Sequence, residues 1–75
     1  MNLCELKREL DRLSIPKDAY SLRGGLPNES YCIGKKDGKW EVYYSERGRK
    51  SALQIFSGEH DACIHFLSMI SRQKF

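Results

Sequence analysis

A chain of 75 residues, 40% hydrophobic and 31% charged, has the composition of one small globular domain, which we take to span residues 1–75. Its net charge of +3 permits an acidic partner without requiring one. No apolar run approaches a membrane span, and residues 1–20 lack the apolar core of a secretory signal, so we expect a cytoplasmic protein with no membrane partner.

The three cysteines, Cys4, Cys32 and Cys63, are odd in number and widely spaced. They form neither a CxxC pair nor the even set of a disulfide framework. We therefore expect reduced thiols that serve as small core residues.

Residues 2–13 have the pattern of an amphipathic helix. Asn2 followed three residues later by Glu5 resembles a capping box. Pro16 ends the helix, because it lacks a backbone donor. Leucines form one stripe at helical spacing, namely Leu3, Leu6, Leu10 and Leu13. The opposite face is charged and offers spacings that suit surface ion pairs, Glu5 with Arg8 and Glu9 with Arg12.

Residues 17–30 form an irregular connection that contains Gly24 and Gly25. A connection this long in so small a domain is often functional. Tyr20 and Leu22 are candidates either to anchor it to the core or to form a short edge strand. The glycine pair follows no convincing strand and precedes no Lys-Ser/Thr, which disfavours a phosphate-binding loop.

The sheet is predicted around residues 39–48, where Trp40, Val42 and Tyr44 alternate with Glu41, Tyr43 and Ser45. Asp37-Gly38 and Gly48 indicate a tight turn at each end. This strand is therefore the middle of a three-stranded antiparallel meander. Its neighbours are residues 31–35, with Tyr31 and Ile33 on one face, and residues 51–56, with Leu53 and Ile55 expected to face inward.

Residues 57–72 predict the last helix. Glu59 and Asp61 suit its N-terminal dipole, and Arg72 with Lys74 suit the other end. Its apolar face comprises Ala62, Cys63, Phe66, Leu67, Met69 and Ile70. The predicted fold is α+β in the order α-β-β-β-α, with two helices on one face of a three-stranded antiparallel sheet.

The sequence offers weak candidates for catalysis. On a helix, His60 and Cys63 share a face while His65 points elsewhere, so the three do not converge. Cys63 lies in the apolar stripe, where a thiol is inert. A zinc site from these residues lacks a second ligand pair. We expect no catalytic residue, no metal and no cofactor.

The element order is also that of double-stranded-RNA-binding domains, and the chain is basic. However, the basic clusters lie in successive hairpin turns, at opposite ends of the sheet. The last helix also begins with Glu59 and Asp61, which repel phosphate. A nucleic-acid-binding module is therefore the alternative interpretation.

A binding surface is the favoured interpretation. On the outer sheet face, Tyr43 is predicted as an exposed anchor surrounded by Lys39, Glu41 and Arg49. Two alternatives stay open. One is that Tyr43 only pairs across strands, and the other is that the polar face of the first helix, the second surface large enough for an interface, binds the partner.

Glu46, Arg47 and Glu29 complete the predicted partner-binding set. The charges at the second turn suit solvated turn residues. Alternatively, Arg47 bridges to Glu29 or to Glu59 and fixes the long connection to the sheet, because its planar fork holds a carboxylate with two bonds.

Three blocks carry a resemblance to a known family: residues 24–29, the segment from Trp40 to Gly48, and residues 56–63. Together they resemble the small immunity proteins of bacterial polymorphic-toxin systems, and the Trp40-to-Gly48 segment is the most specific part. The resemblance implies a cytoplasmic protein that binds and blocks one cognate toxin domain without catalysis. We expect it to be a monomer when free.

Overall fold

A computed structural model of the chain describes residues 1–73, so the expectation for Lys74 lies outside the described residues. The fold is α+β, with two helices and a four-stranded mixed sheet. The elements are helix α1 (Leu3–Arg12), a 3₁₀ turn (Lys17–Ala19), strands β1 (Tyr20–Ser21), β2 (Ser30–Lys36), β3 (Lys39–Glu46) and β4 (Arg49–Phe56), and helix α2 (Glu59–Ser71).

The strands lie in the order β1-β2-β3-β4. The antiparallel meander of β2, β3 and β4 is as predicted. The expectation of three antiparallel strands is wrong in detail, because β1 adds a fourth strand parallel to β2, with Tyr20 opposite Tyr31. The Ser30 hydroxyl donates to the Asp18 carbonyl at 3.0 Å, which holds the 3₁₀ turn beside the start of β2.

Both hairpin turns have two left-handed residues. Asp37 and Gly38 have φ of 52° and 79°, and Arg47 and Gly48 have φ of 51° and 75°. Positive φ at both central residues is the geometry that matches the twist of the flanking strands. Aspartate tolerates this conformation, whereas arginine does so only at a cost.

Helix α1 begins with the predicted capping box. The Asn2 side chain accepts from the Glu5 backbone at 2.9 Å, and the Asn2 backbone donates to the Glu5 carboxylate at 3.1 Å. The Leu3 N–H donates to the Glu59 carboxylate at 2.9 Å, and the Met1 amine hydrogen-bonds to His60. These contacts fix the start of α1 against the start of α2.

The core lies between the two helices and one face of the sheet. Trp40, half-buried, packs against it on the predicted face of β3. Its fully buried members are Leu6, Leu10, Ile33, Val42, Ala62, Cys63, Phe66 and Ile70. The predicted apolar stripes of both helices are therefore confirmed except at Leu13, which follows the end of α1 and is exposed.

The expected inward direction of Leu53 and Ile55 is wrong, because their side chains are 42% and 51% exposed. The reason is a bulge in which Ala52 and Leu53 both lie opposite Tyr43. The extra residue reverses the alternation of side chains along β4. Phe56 packs against the core instead.

The cysteines divide into two groups. Cys32 and Cys63 are buried, as predicted, but Cys4 is exposed on the solvent face of α1. Burial raises the pKa of both buried thiols. They are therefore small core residues rather than nucleophiles.

Candidate interaction surface

The face of the sheet opposite the helices is partly covered by residues 22–28, which we call the covering loop. The Gly24 N–H donates to the Ile33 carbonyl at 3.0 Å, and the Ser21 hydroxyl donates to the Gly24 carbonyl at 2.9 Å. A Cβ on Gly34 would lie 2.8 Å from the Gly24 Cα, so only glycine at position 34 permits this close approach.

Tyr43 lies on the outer face, as predicted, but it is not an exposed anchor. Its side chain is only 1% exposed, because the covering loop lies over it and its hydroxyl donates to the Gly25 carbonyl at 2.6 Å. The Lys50 ammonium lies 4.8 Å from the centre of the ring. Burial raises the pKa of Tyr43 to about 12. Tyr43 therefore holds the loop and is not available to a partner.

Glu41 is occupied as well. Lys50 Nζ lies 2.9 Å from Glu41 Oε1, and the Glu41 side chain is only 12% exposed. Lys50 thus runs along the outer face, covers Tyr43 and neutralises Glu41. The sequence prediction missed Lys50, because Lys50 lies opposite Ser45 and only the direction of its side chain brings the ammonium to Tyr43 and Glu41.

Two adjoining grooves flank this ion pair. The first, about 240 Å³, lies under the covering loop and includes Arg23, Leu26 and Lys35. The second, about 390 Å³, lies beside β4 and includes Asp37, Lys39 and Ile55. Because Lys36 and Glu41 line both grooves, the two grooves form one continuous surface.

Three large apolar side chains are exposed on this side of the molecule. Leu26 is 54% exposed on the covering loop, and Leu53 and Ile55 project from β4. Basic residues surround them. We define the outer surface as Arg23, Leu26, Lys35, Lys36, Lys39, Lys50, Leu53 and Ile55. Leu53 and Ile55 were assigned to the core from their alternation, and only the bulge at Ala52 reveals their exposure.

The remaining predicted residues are divided between the two hairpin turns. Lys39 is exposed on the outer surface, whereas Arg49, Glu46 and Glu29 are exposed around the other hairpin turn. The structure therefore does not bring the predicted set together into one site.

The predicted ion pair of Arg47 with Glu29 or Glu59 is wrong. Within residues 1–73 the Arg47 side chain makes no ion pair, and Glu59 accepts from Leu3 instead. The connection does reach this turn, but through a backbone contact, because the Arg47 N–H donates to Asn28 Oδ1 at 3.3 Å.

The polar face of α1, the alternative surface, pairs most of its charges within itself. The suggested Glu5–Arg8 pair does not form within residues 1–73, where the Glu5 carboxylate accepts from the Asn2 backbone instead. Lys7 pairs with Asp11 at 2.7 Å, and Arg12 pairs with Glu9 at 2.9 Å. The hydrogen bond to Asp11 raises the pKa of Lys7, and the one from Arg12 lowers the pKa of Glu9. Exposed pairs of this kind are typical of a solvated helix face.

The candidate catalytic and metal-binding residues have other contacts. His60 hydrogen-bonds to the Met1 amine, and the centre of the His65 ring lies 5.2 Å from the centre of the Phe56 ring. Within residues 1–73, no three His, Cys, Asp or Glu side chains are grouped so that they could hold a metal ion. No helix in that part of the chain has the length and apolar character needed to cross a membrane.

Comparison with known proteins adds no family. No protein-family model, no curated protein and no solved structure matches the chain. The resemblance to immunity proteins therefore stays a prediction from the sequence.

Proposed function

We propose that this chain is a non-enzymatic, cytoplasmic protein of the immunity type, which binds and neutralises a cognate toxin domain. The observation that carries the proposal is the outer surface, where exposed Leu26, Leu53 and Ile55 lie beside two grooves that together carry more basic than acidic side chains. Protein interfaces commonly combine apolar side chains at the centre with a polar rim.

The size of the molecule limits where such an interface can lie. A specific interface takes roughly 800 Å² from each partner, and the whole chain exposes 4990 Å². The partner must therefore cover about a sixth of the surface. The outer surface offers exposed apolar side chains for such a contact, whereas the exposed face of α1 offers charges, most of which are already paired with each other.

The charge of the outer surface favours an acidic partner. Within residues 1–73 four of its cations make no ion pair, namely Arg23, Lys35, Lys36 and Lys39. Of the two carboxylates that line the grooves, Glu41 is neutralised by Lys50, which leaves Asp37. Such a surface accelerates encounter with an acidic protein and disfavours a basic one. The resemblance of the Trp40-to-Gly48 segment adds the kind of partner, a toxin domain.

The proposal is tested by co-expressing the chain with the toxin-like C-terminal domain of a large protein encoded by the neighbouring upstream gene. We expect the two to co-purify and the toxicity to disappear. Leu53→Asp with Ile55→Asp should weaken binding at least tenfold, because a charge replaces each apolar contact.

Ile64→Asp is the matched control, since Ile64 is 46% exposed but lies on α2. It should bind like the wild type. Equal binding by all variants, or loss of binding in the control alone, would reject the outer surface as the site.

A nucleic-acid-binding module is the second candidate, favoured by the element order and by the basic rim. The start of α2 opposes it, because Glu59 and Asp61 lie in the first turn. Steep loss of RNA affinity with rising salt, abolished by Lys35→Gln with Lys36→Gln, would support this candidate over the first.

A further inference from the structure

Strand β4 is a long and uncovered edge of the sheet. Among the described residues it pairs with β3 alone, and all of residues 51–55 are exposed. The opposite edge, β1, has two residues. Soluble proteins usually protect edge strands with charged residues, proline, short length or a bulge. Residues 51–55 contain neither charge nor proline, so the bulge at Ala52 is the protection that remains.

The register shows which backbone groups face the open edge. In a two-residue hairpin, the residues that flank the turn form a hydrogen-bonded pair, and such pairs then alternate. Lys36 and Lys39 are such a pair, so the odd-numbered residues of β3 bond to β2 and the even-numbered ones bond to β4. Ile55 lies opposite Glu41, an odd-numbered residue. Its N–H and C=O therefore point away from β3, toward the open edge.

The bulge limits the length of a paired segment. Ala52 has a φ of 55°, which bends the strand near its middle. The regular part of the edge is residues 54–56, beyond the bulge. It contains the exposed side chain of Ile55, follows directly on the exposed Leu53, and adjoins the groove lined by Lys36, Asp37 and Lys39.

We propose that this part of β4 accepts an extended, acidic segment of a partner protein as an added strand. The segment pairs with the backbone of Ile55, and its apolar side chains pack on Leu53 and Ile55. Its carboxylates reach Lys36 and Lys39. The proposal deepens the function proposed above and rests on it, because it names the segment through which the toxin domain is bound.

Charge decides between an acidic partner and a second copy of this chain. β4 carries Arg49 and Lys50 and no acidic residue, and the adjoining groove adds Lys36 and Lys39 against Asp37, since its other carboxylate, Glu41, is paired with Lys50. Pairing two copies through β4 would bring these basic groups together, whereas an acidic segment neutralises them. Strand addition supplies affinity through the main chain and specificity through alternate side chains.

The probe for the test is a capped peptide of alternating valine and glutamate, as long as β4. Nuclear magnetic resonance of the protein should show shifted signals and slower hydrogen exchange at the Ile55 amide. A peptide N-methylated on its pairing edge should not bind. Alternating valine and lysine should bind at least fivefold more weakly.

Two variants separate the backbone from the side chain. Ile55→Pro removes the N–H that faces the edge, and edge strands tolerate proline there. It should weaken binding at least fivefold relative to Ile55→Ala, which loses the side chain but retains the donor. If Ile55→Pro loses its cooperative melting transition, the N-methylated peptide on the wild-type protein decides the question.

Three results would overturn the proposal: no binding of the peptide, signal changes on α1 instead of β4, or equal binding of the N-methylated peptide. If, without peptide, the hydrogen-exchange rate of the Ile55 amide falls as the protein concentration increases, the occupant is a second copy of this chain. Because the peptide is not a toxin, co-purification of the toxin domain with the Ile55→Pro variant would reject the strand addition alone. Peptide binding without any toxin complex would reject the proposed function alone.

Discussion

At the scale of single residues, Tyr43 shows how a correct face assignment can give a wrong exposure. The period of two places it on the outer face, where it lies. Its burial depends on Gly25, eighteen residues earlier, and on Lys50, whose side chain crosses its ring. Neither contact is visible in a local pattern, because both arise from how the covering loop and β4 pack on β3.

The Tyr43 hydroxyl predicts a pH dependence of stability at high pH. Its pKa is about 12 in the folded state and about 10 in an unfolded chain. A raised pKa for this acid means that its contribution is fully present below about pH 10 and is lost as the pH rises toward 12. Tyr43→Phe should therefore lose less stability than the wild type between these values, as measured by urea unfolding at a series of pH.

Below pH 9 the same variant should be less stable by about 1 kcal/mol, because the Gly25 carbonyl loses its donor. Burial also raises the pKa of Tyr31, so the variant keeps part of the dependence. If the unfolding free energies of variant and wild type fall in parallel above pH 10, the burial of Tyr43 is contradicted.

Arg47 is in a conformation that suits other residues better. It has nearly the same φ as Asp37 in the other hairpin, but lacks a short polar side chain that tolerates left-handed geometry. Arg47→Asn should raise the free energy of unfolding by about 0.5–1 kcal/mol. Asp37→Arg is the matched control and should lower it by a similar amount. If thermal unfolding shows Arg47→Asn to be destabilising, the arginine side chain makes a stabilising contact in solution.

At the scale of elements, the sequence predicted both helices and the antiparallel meander well. Their signals are local, namely the Asn2–Glu5 capping box, the leucine stripe and the two glycine turns. A short edge strand at Tyr20 was only one of two alternatives, because β1 has just two residues and pairs with β2 without a hairpin turn. The bulge of β4 was not predicted, because it is marked only by an alanine, which gives no turn signal.

The same limit applies to the candidate surface. The sequence pattern predicted an outer face with Lys39, Tyr43 and Glu41 as binding residues. In the structure, however, the covering loop contacts Tyr43 and Lys50 pairs with Glu41. Leu53 and Ile55 were missed because strict alternation assigns them to the core.

The docking of the covering loop depends on Gly34. Gly34→Ala would place a Cβ 2.8 Å from the backbone of Gly24, so the loop must move. We expect a loss of about 1–3 kcal/mol in unfolding free energy, and a fall in the Tyr43 pKa as the ring becomes exposed. Gly58→Ala meets no atom within 4 Å and should cost less. An unchanged Tyr43 titration in Gly34→Ala would mean that the loop does not bury the ring.

At the scale of the whole molecule, the two faces of the sheet have different roles. One face and both helices form the core that stabilises this small domain. The other carries the covering loop, the basic grooves and the exposed apolar residues of β4. A domain with little core retains these apolar side chains at its surface, which is typical of a protein that binds a partner.

The central claim, that the outer surface binds the toxin domain, is tested most directly by hydrogen exchange of the complex. We predict that binding slows exchange in β4 and the covering loop, with Ile55 among the most protected amides, and leaves the exposed face of α1 unchanged. Slower exchange confined to α1, with β4 and the covering loop exchanging as in the free protein, would contradict the account and identify the first helix as the interface.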